Sequence, residues 1–144
     1  MTRLQTTRTP EGRRLEASHV LDVPAADAWD LLVDTTRWPE WSPIVVGVES
    51  TDRRIRAGTT GRIRIPGAWL SFRVTGYQPA DRRWRWRITG LPGAGHRVDD
   101  LGESRCRIAF ELPLTATGYV PVCLRALEGL EAVLLEDHER ATPE

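Results

Sequence analysis

Tyr119–Glu139 reads YVPVCLRALEGLEAVLLEDHE, and what this stretch needs decides the fold. At roughly 100° per residue, Val120, Cys123, Leu124, Leu127, Leu130, Leu134 and Leu135 share one stripe. Arg125, Gly129, Glu136 and Asp137 lie outside it. Thr117 and Gly118 precede it as cap residues, and Pro121 suits a first turn, where its missing N–H costs nothing. A single helix with so wide an apolar face is unstable in water, so something must cover it. The residues before it read as strands. A curved sheet gripping one long helix is the expected architecture.

The strand pattern runs from Arg13 to Leu114. Arg13–Val23 is a first strand that ends at Pro24. Ile44–Glu49 alternates with Ile44, Val46 and Val48 on one side, and Thr59–Ile65 with Gly61, Ile63 and Ile65 inward. Trp69–Tyr77 puts Leu70, Phe72 and Val74 on one face, and Arg83–Ile88 sets Trp84, Trp86 and Ile88 against Arg83, Arg85 and Arg87. A weaker strand covers Gly95–Leu101. Arg105–Leu114 alternates Cys106, Ile108, Phe110, Leu112 and Leu114 against Arg105, Arg107 and Glu111. One wet and one buried face is the mark of an antiparallel sheet, here of about seven strands. The connectors are short and carry Gly, Pro or Asp, as hairpin loops do.

Between the first two strands the period changes. Pro24–Val33 places Ala25, Trp29, Leu32 and Val33 on one helical face, and Thr36–Pro43 (TRWPEWSP) predicts a short helical turn pinned by two indoles. Residues 1–12 are polar and read as a flexible tail, residues 13–139 as a single α+β domain, and residues 140–144 as a second tail.

In this order of elements the chain resembles the polyketide cyclase/dehydrase-like branch of the START and birch-pollen-allergen-like (SRPBCC) superfamily, the helix-grip fold. The likeness is carried by Val23-Pro24-Ala25-Ala26 and Ala28-Trp29-Asp30-Leu31-Leu32-Val33-Asp34. With them go Trp38-Pro39-Glu40-Trp41-Ser42-Pro43, Ala57-Gly58-Thr59, and Tyr77-Gln78-Pro79-Ala80-Asp81-Arg82. The resemblance covers about residues 13–138 and implies a cavity between the concave sheet and the long helix. A small hydrophobic, lipid-like or aromatic molecule is the implied ligand. The alternative is a cyclase, aromatase or dehydratase acting in the same cavity.

Candidates for the cavity wall are Trp41, Phe72, Trp84, Trp86, His96, Phe110, Leu127, Glu131 and Leu134. Each aromatic residue serves equally well as plain core. Glu131 falls amid the apolar stripe, where an unpaired carboxylate costs several kcal/mol or takes up a proton. An arginine partner or a lip position explains it, and so does a cavity carboxylate that orients a ligand hydroxyl or acts as a base. His96 shares inward parity with Val98 and is the other catalytic candidate, set against an ordinary satisfied histidine. His138 on the stripe and the Asp99–Asp100 pair read as solvated.

The 144 residues are 40% apolar and 28% charged, which suits a globular chain with room for an internal cavity. No apolar run approaches a membrane span, and MTRLQTTRTPEGRR lacks a signal-peptide core, so the expectation is a cytoplasmic, bacterial-type protein. Cys106 and Cys123 lack metal or redox spacing and read as two reduced thiols. No nucleophile–base motif, metal spacing or phosphate loop occurs, so no cofactor and no metal are expected.

All 20 basic residues are arginine, and they concentrate in the middle. Residues 53–107 carry 13 Arg and 4 acids, a net +9, between ends of −4 and −5. Arg62, Arg64, Arg73, Arg83, Arg85, Arg87, Arg105 and Arg107 share outward parity. A solvated outer face paired with the few acids is one reading, and a surface for a polyanion or protein partner is the other. Only Trp69 and Tyr77 interleave with these arginines, so no nucleic acid is expected. A monomer and a homodimer are equally compatible with the pattern.

Overall fold

A computed structural model describes residues 2–10 and 12–141. The chain runs β1 (Thr2–Thr9), β2 (Gly12–Leu21), α1 (Ala25–Val33), a 3-10 turn (Thr35–Arg37), α2 (Trp38–Trp41) and β3 (Gly47–Ser50). It continues through β4 (Thr60–Ile65), β5 (Ala68–Gln78), β6 (Arg83–Ile88), β7 (Gly95–Gly102) and β8 (Arg105–Leu112). A 3-10 turn at Thr117–Tyr119 then leads into α3 (Val120–Ala141). The eight strands form one antiparallel sheet in the order β1-β2-β8-β7-β6-β5-β4-β3. Its inward face and the three α-helices enclose the core, as the helix-grip reading expects.

Several expectations change in detail. Residues 1–12 are not a free tail, because Thr2–Thr9 pairs with β2 from Thr2↔His19 to Thr9↔Gly12. Four threonines and two arginines among eight residues give this strand no apolar signature, yet its backbone pairs with β2 from Gly12 to His19. At the other end α3 runs through Ala141, and residues 142–144 of the expected C-terminal tail lie outside the described residues.

The segment before β3 is not a strand. The Ser42 hydroxyl accepts the backbone N–H of Val45 at 3.2 Å, which turns the chain there. Val45 is therefore buried and Val46 is exposed, the reverse of the alternation. Leu114 lies past the end of β8 and is exposed. In β5 a bulge between Val74 and Gly76 shifts the register. Tyr77 consequently faces the core and stacks on Trp29, with centroids 6.1 Å apart.

The buried face of α3 is turned relative to the predicted stripe. Ala126 and Val133 are buried, while Leu135 is exposed. Gly129, expected outside, marks the crossing with α2: a Cβ there would lie 2.2 Å from the Trp41 carbonyl oxygen. The short α2 is also tied to α3 by Arg37, which donates to Glu40 at 2.9 Å and to Asp137 at 2.8 Å.

On the outer face, several arginines meet acids. Arg97 Nε donates to Asp99 at 2.8 Å, Nη1 donates to Glu111 Oε2 at 2.8 Å, and Nη2 forms an ion pair with Glu16 Oε1 at 2.8 Å. The other Glu111 oxygen accepts from Arg83. Glu16 and Glu111 face each other across β2 and β8 and are 2% and 3% exposed, so these guanidinium groups, with the Gln5 amide that donates to Glu16 Oε2 at 3.0 Å, make their ionised burial tolerable. Burial works against the Arg97 charge, but Asp99 and Glu16 more than offset it and raise its pKa.

Candidate functional site

An aromatic cluster occupies the middle of the grip. Period-2 alternation on β6 turns Trp84 and Trp86 inward, and Trp38 comes down on them from the start of α2. Trp38 lies nearly parallel to Trp84 at 5.8 Å between centroids and edge-on to Trp86 at 5.1 Å. Its own N–H is satisfied by the Leu32 carbonyl at 2.8 Å. Phe72 closes one side, 5.4 Å from Trp38 and 5.5 Å from Trp86. On β7, His96 stacks on Trp84 at 4.2 Å and meets Phe110 edge-on at 4.8 Å.

Next to this cluster is a cavity of about 50 Å³. Its inner wall is Trp38, Trp41, Trp86, His96 and Phe110, and its α3 side is Tyr119, Val122, Cys123 and Ala126. Ser42, Ile44 and Val45 from one loop and Pro92 and Ala94 from another form the rim. A volume of this size holds a few water molecules and is well below the several hundred Å³ of a drug-sized site.

Three residues of this wall carry a buried polar atom, Trp41 Nε1, Trp86 Nε1 and His96 Nδ1, with no hydrogen-bond partner among the described residues. Trp84 Nε1, one layer behind, shares that condition. Native proteins leave few such atoms, because each costs about 1–3 kcal/mol in lost hydration.

The titratable groups of the wall are held neutral. Burial pushes the His96 pKa down to about 3, despite aromatic faces that attract a cation, because the ring is only 3% exposed. Burial raises the Tyr119 hydroxyl to about 12 and the Cys123 thiol to about 12. No carboxylate lines the cavity among the described residues.

Of the residues expected at a cavity, Trp41, Trp86, His96 and Phe110 line it. Phe72 and Trp84 stand one layer behind, as packing for the inner wall. Leu127 and Leu134 are buried outside the lining, because the cavity meets only the first turns of α3.

Glu131 is also away from the cavity. Its Oε2 lies 2.8 Å from His19 Nε2, and His19 Nδ1 lies 2.8 Å from Thr2 Oγ1, at the partly exposed seam of α3 with β2. Its partner is thus a histidine instead of an arginine, and it stands at this seam instead of a cavity lip, with its side chain 36% exposed. Trp38, Tyr119 and Cys123 were not singled out for the wall. Trp38 was visible as one of the two indoles pinning the turn, whereas nothing in the pattern marks Tyr119.

Larger and more open recesses lie elsewhere. One between α1 and α3 holds Asp27, Asp30, Asp34 and Asp137 with Arg37 and Arg54, largely as ion pairs. No group of residues suited to hold a metal occurs among the described residues, and no described helix is long and apolar enough to cross a membrane. Cys106 and Cys123 are both free and buried.

The sequence profile described as polyketide cyclase/dehydrase and lipid transport matches residues 12–134. The chain belongs to that family. No curated protein matches the sequence. The fold of this polyketide cyclase/dehydrase and lipid transport family member recurs in XoxI from Bacillus cereus, with a TM-score of 0.70 and 12% identity over 87% of this chain and 97% of that one. A START superfamily protein from Mycobacterium smegmatis gives a TM-score of 0.64 and 12% identity, covering 85% and 97%. The di-domain ARO/CYC BexL from the BE-7585A biosynthetic pathway gives 0.65 and 16%, covering 86% of this chain and 46% of BexL. Such identities establish shared architecture and leave the chemistry to the residues of this family member.

Proposed function

We propose that the protein binds a small, flat, neutral molecule, largely apolar or aromatic, in the cavity between Trp86, His96 and the start of α3. The unpartnered Trp41 Nε1, Trp86 Nε1 and His96 Nδ1, all in side chains of a largely apolar wall, carry this reading. Two indole donors suit a carbonyl or hydroxyl oxygen of the ligand, and the neutral imidazole serves as donor or acceptor according to its tautomer. A wall that holds histidine, tyrosine and cysteine all uncharged disfavours a charged ligand for the same reason, the cost of desolvation. Binding requires the rim loops to part, since the closed volume is about 50 Å³.

We favour binding over turnover. A histidine with a pKa near 3 is a poor general base at neutral pH, and Glu131 sits on the far side of α3 paired with His19. The test is tryptophan fluorescence during titration with 2-naphthol and, separately, with 2-naphthoate. Quenching by the neutral naphthol at roughly tenfold or lower concentration than by the anion is expected. Equal response to both, or none to either, defeats the reading. Native mass spectrometry of the purified protein adds a direct check, since a retained ligand appears as extra mass that is released on denaturation.

A further inference from the structure

The outer face contains two directly opposed arginine pairs at β6, and they are treated differently. Arg83 on β6 faces Arg97 on β7, and the Glu111 carboxylate sits between them, one oxygen to each guanidinium. On the neighbouring ladder Arg73 of β5 faces Arg87 of β6, both exposed. Neither makes an ion pair with an acid among the described residues. Cross-strand side chains start about 5 Å apart, and like charges placed so are destabilising.

Around this second pair stand hydroxyl groups where an acid would serve. Thr60 pairs with Arg73 on β4, while Ser71 and Thr89 flank the two arginines, with the Thr89 N–H bonded to the Ser71 carbonyl at 3.0 Å. These five residues line one shallow recess. The nearest acid in register, Glu49, is held by Arg62 at 2.7 Å.

We infer that the recess formed by Arg73, Arg87, Thr60, Ser71 and Thr89 is a binding site for a phosphate-type oxyanion, which bridges the two guanidinium groups as Glu111 bridges Arg83 and Arg97. Two opposed positive charges favour a dianion over a single carboxylate. Hydroxyl and guanidinium donors arranged on several sides suit a group with three terminal oxygens. The site lies on the opposite face of the sheet from the aromatic cavity and does not depend on it. Its chemistry is shared by free phosphate, a phosphate monoester and a phosphomonoester lipid headgroup.

Thermal unfolding in phosphate and in chloride at matched ionic strength tests the site. Selective stabilisation by phosphate is expected for the parent protein. Arg73→Gln and Arg87→Gln are each expected to weaken apparent phosphate affinity by roughly tenfold or more. Arg87→Glu supplies an internal carboxylate opposite Arg73, so it is expected to keep the fold and abolish the phosphate response.

Parallel titrations with phenyl phosphate and with phosphatidylcholine vesicles containing phosphatidic acid identify the source. Preference for either, lost in Arg87→Glu, assigns the headgroup or the monoester. Equal responses assign free phosphate. Indistinguishable effects of phosphate and chloride, or a phosphate effect that survives in Arg87→Glu, overturn the inference.

Discussion

Replacing His96 with phenylalanine keeps a flat ring between Trp84 and Phe110 and removes the titrating group. The folded-state pKa lies near 3 and the ordinary value is 6.5, so the unfolded chain takes up the proton first. The sign follows: this contribution to stability is fully present above pH 6.5 and is lost as pH falls from there towards 3. At pH 5 the loss is about 2 kcal/mol, from roughly 1.5 pH units at 1.36 kcal/mol each. Carboxylates such as Asp34 and Asp137, whose pKa values are lowered, lose their stabilisation at lower pH still. The assay is urea unfolding of the parent and His96→Phe at pH 7.5 and pH 5. The parent's stability relative to the variant is expected to fall by about 2 kcal/mol between them. A gap that does not move would mean that His96 is hydrated or paired, and the reasoning about a neutral cavity would fail with it.

Gly129→Ala gains about 1 kcal/mol of helix propensity but drives a methyl group into the Trp41 carbonyl. A net loss of about 1–2 kcal/mol in urea unfolding is expected, since backbone cannot yield as a flexible side chain would. Trp86→Phe keeps an aromatic wall and removes one unpartnered donor, so binding of 2-naphthol is expected to weaken by roughly tenfold while the fold persists. Glu131→Gln is expected to cost under about 1 kcal/mol and to leave naphthol binding unchanged, because its contact with His19 lies at a partly exposed seam. A marked loss of naphthol binding in Glu131→Gln would place that carboxylate in the site after all.

The fold was legible wherever a periodic signal was backed by large side chains. Trp84, Trp86 and Ile88 against three arginines predicted β6 correctly, and the two indoles of TRWPEWSP predicted the pinned turn. β1 was not legible, because Thr2–Thr9 carries threonines and arginines and its stabilisation comes from backbone pairing that composition does not reveal. Tyr77 was misplaced because a bulge changes parity without leaving a mark in the sequence. The candidate site was half legible. Strand parity identified Trp86, His96 and Phe110, but parity cannot distinguish a wall residue from the layer behind it, where Trp84 and Phe72 stand. Nor does a helical stripe say how far along the helix the open space extends, and on that point Leu127, Glu131 and Leu134 went astray.

The outer charge lattice bears on how the strands find their alignment. Sliding β2 by two residues along β8 leaves every inward side chain inward, so apolar contacts alone offer little protection against that error. The same slip carries Glu16 about 7 Å away from Arg97 and leaves a buried carboxylate uncompensated. Arg97 reaches Glu16 on β2, Asp99 on its own strand and Glu111 on β8, and these three contacts are met together in one alignment. Arg97→Met is therefore expected to give a chain that still collapses but shows duplicated amide resonances along β2 and β8. Hydrophobic patterning brings the sheet together, and the charges on its far side act as the ruler that measures where each strand must stop.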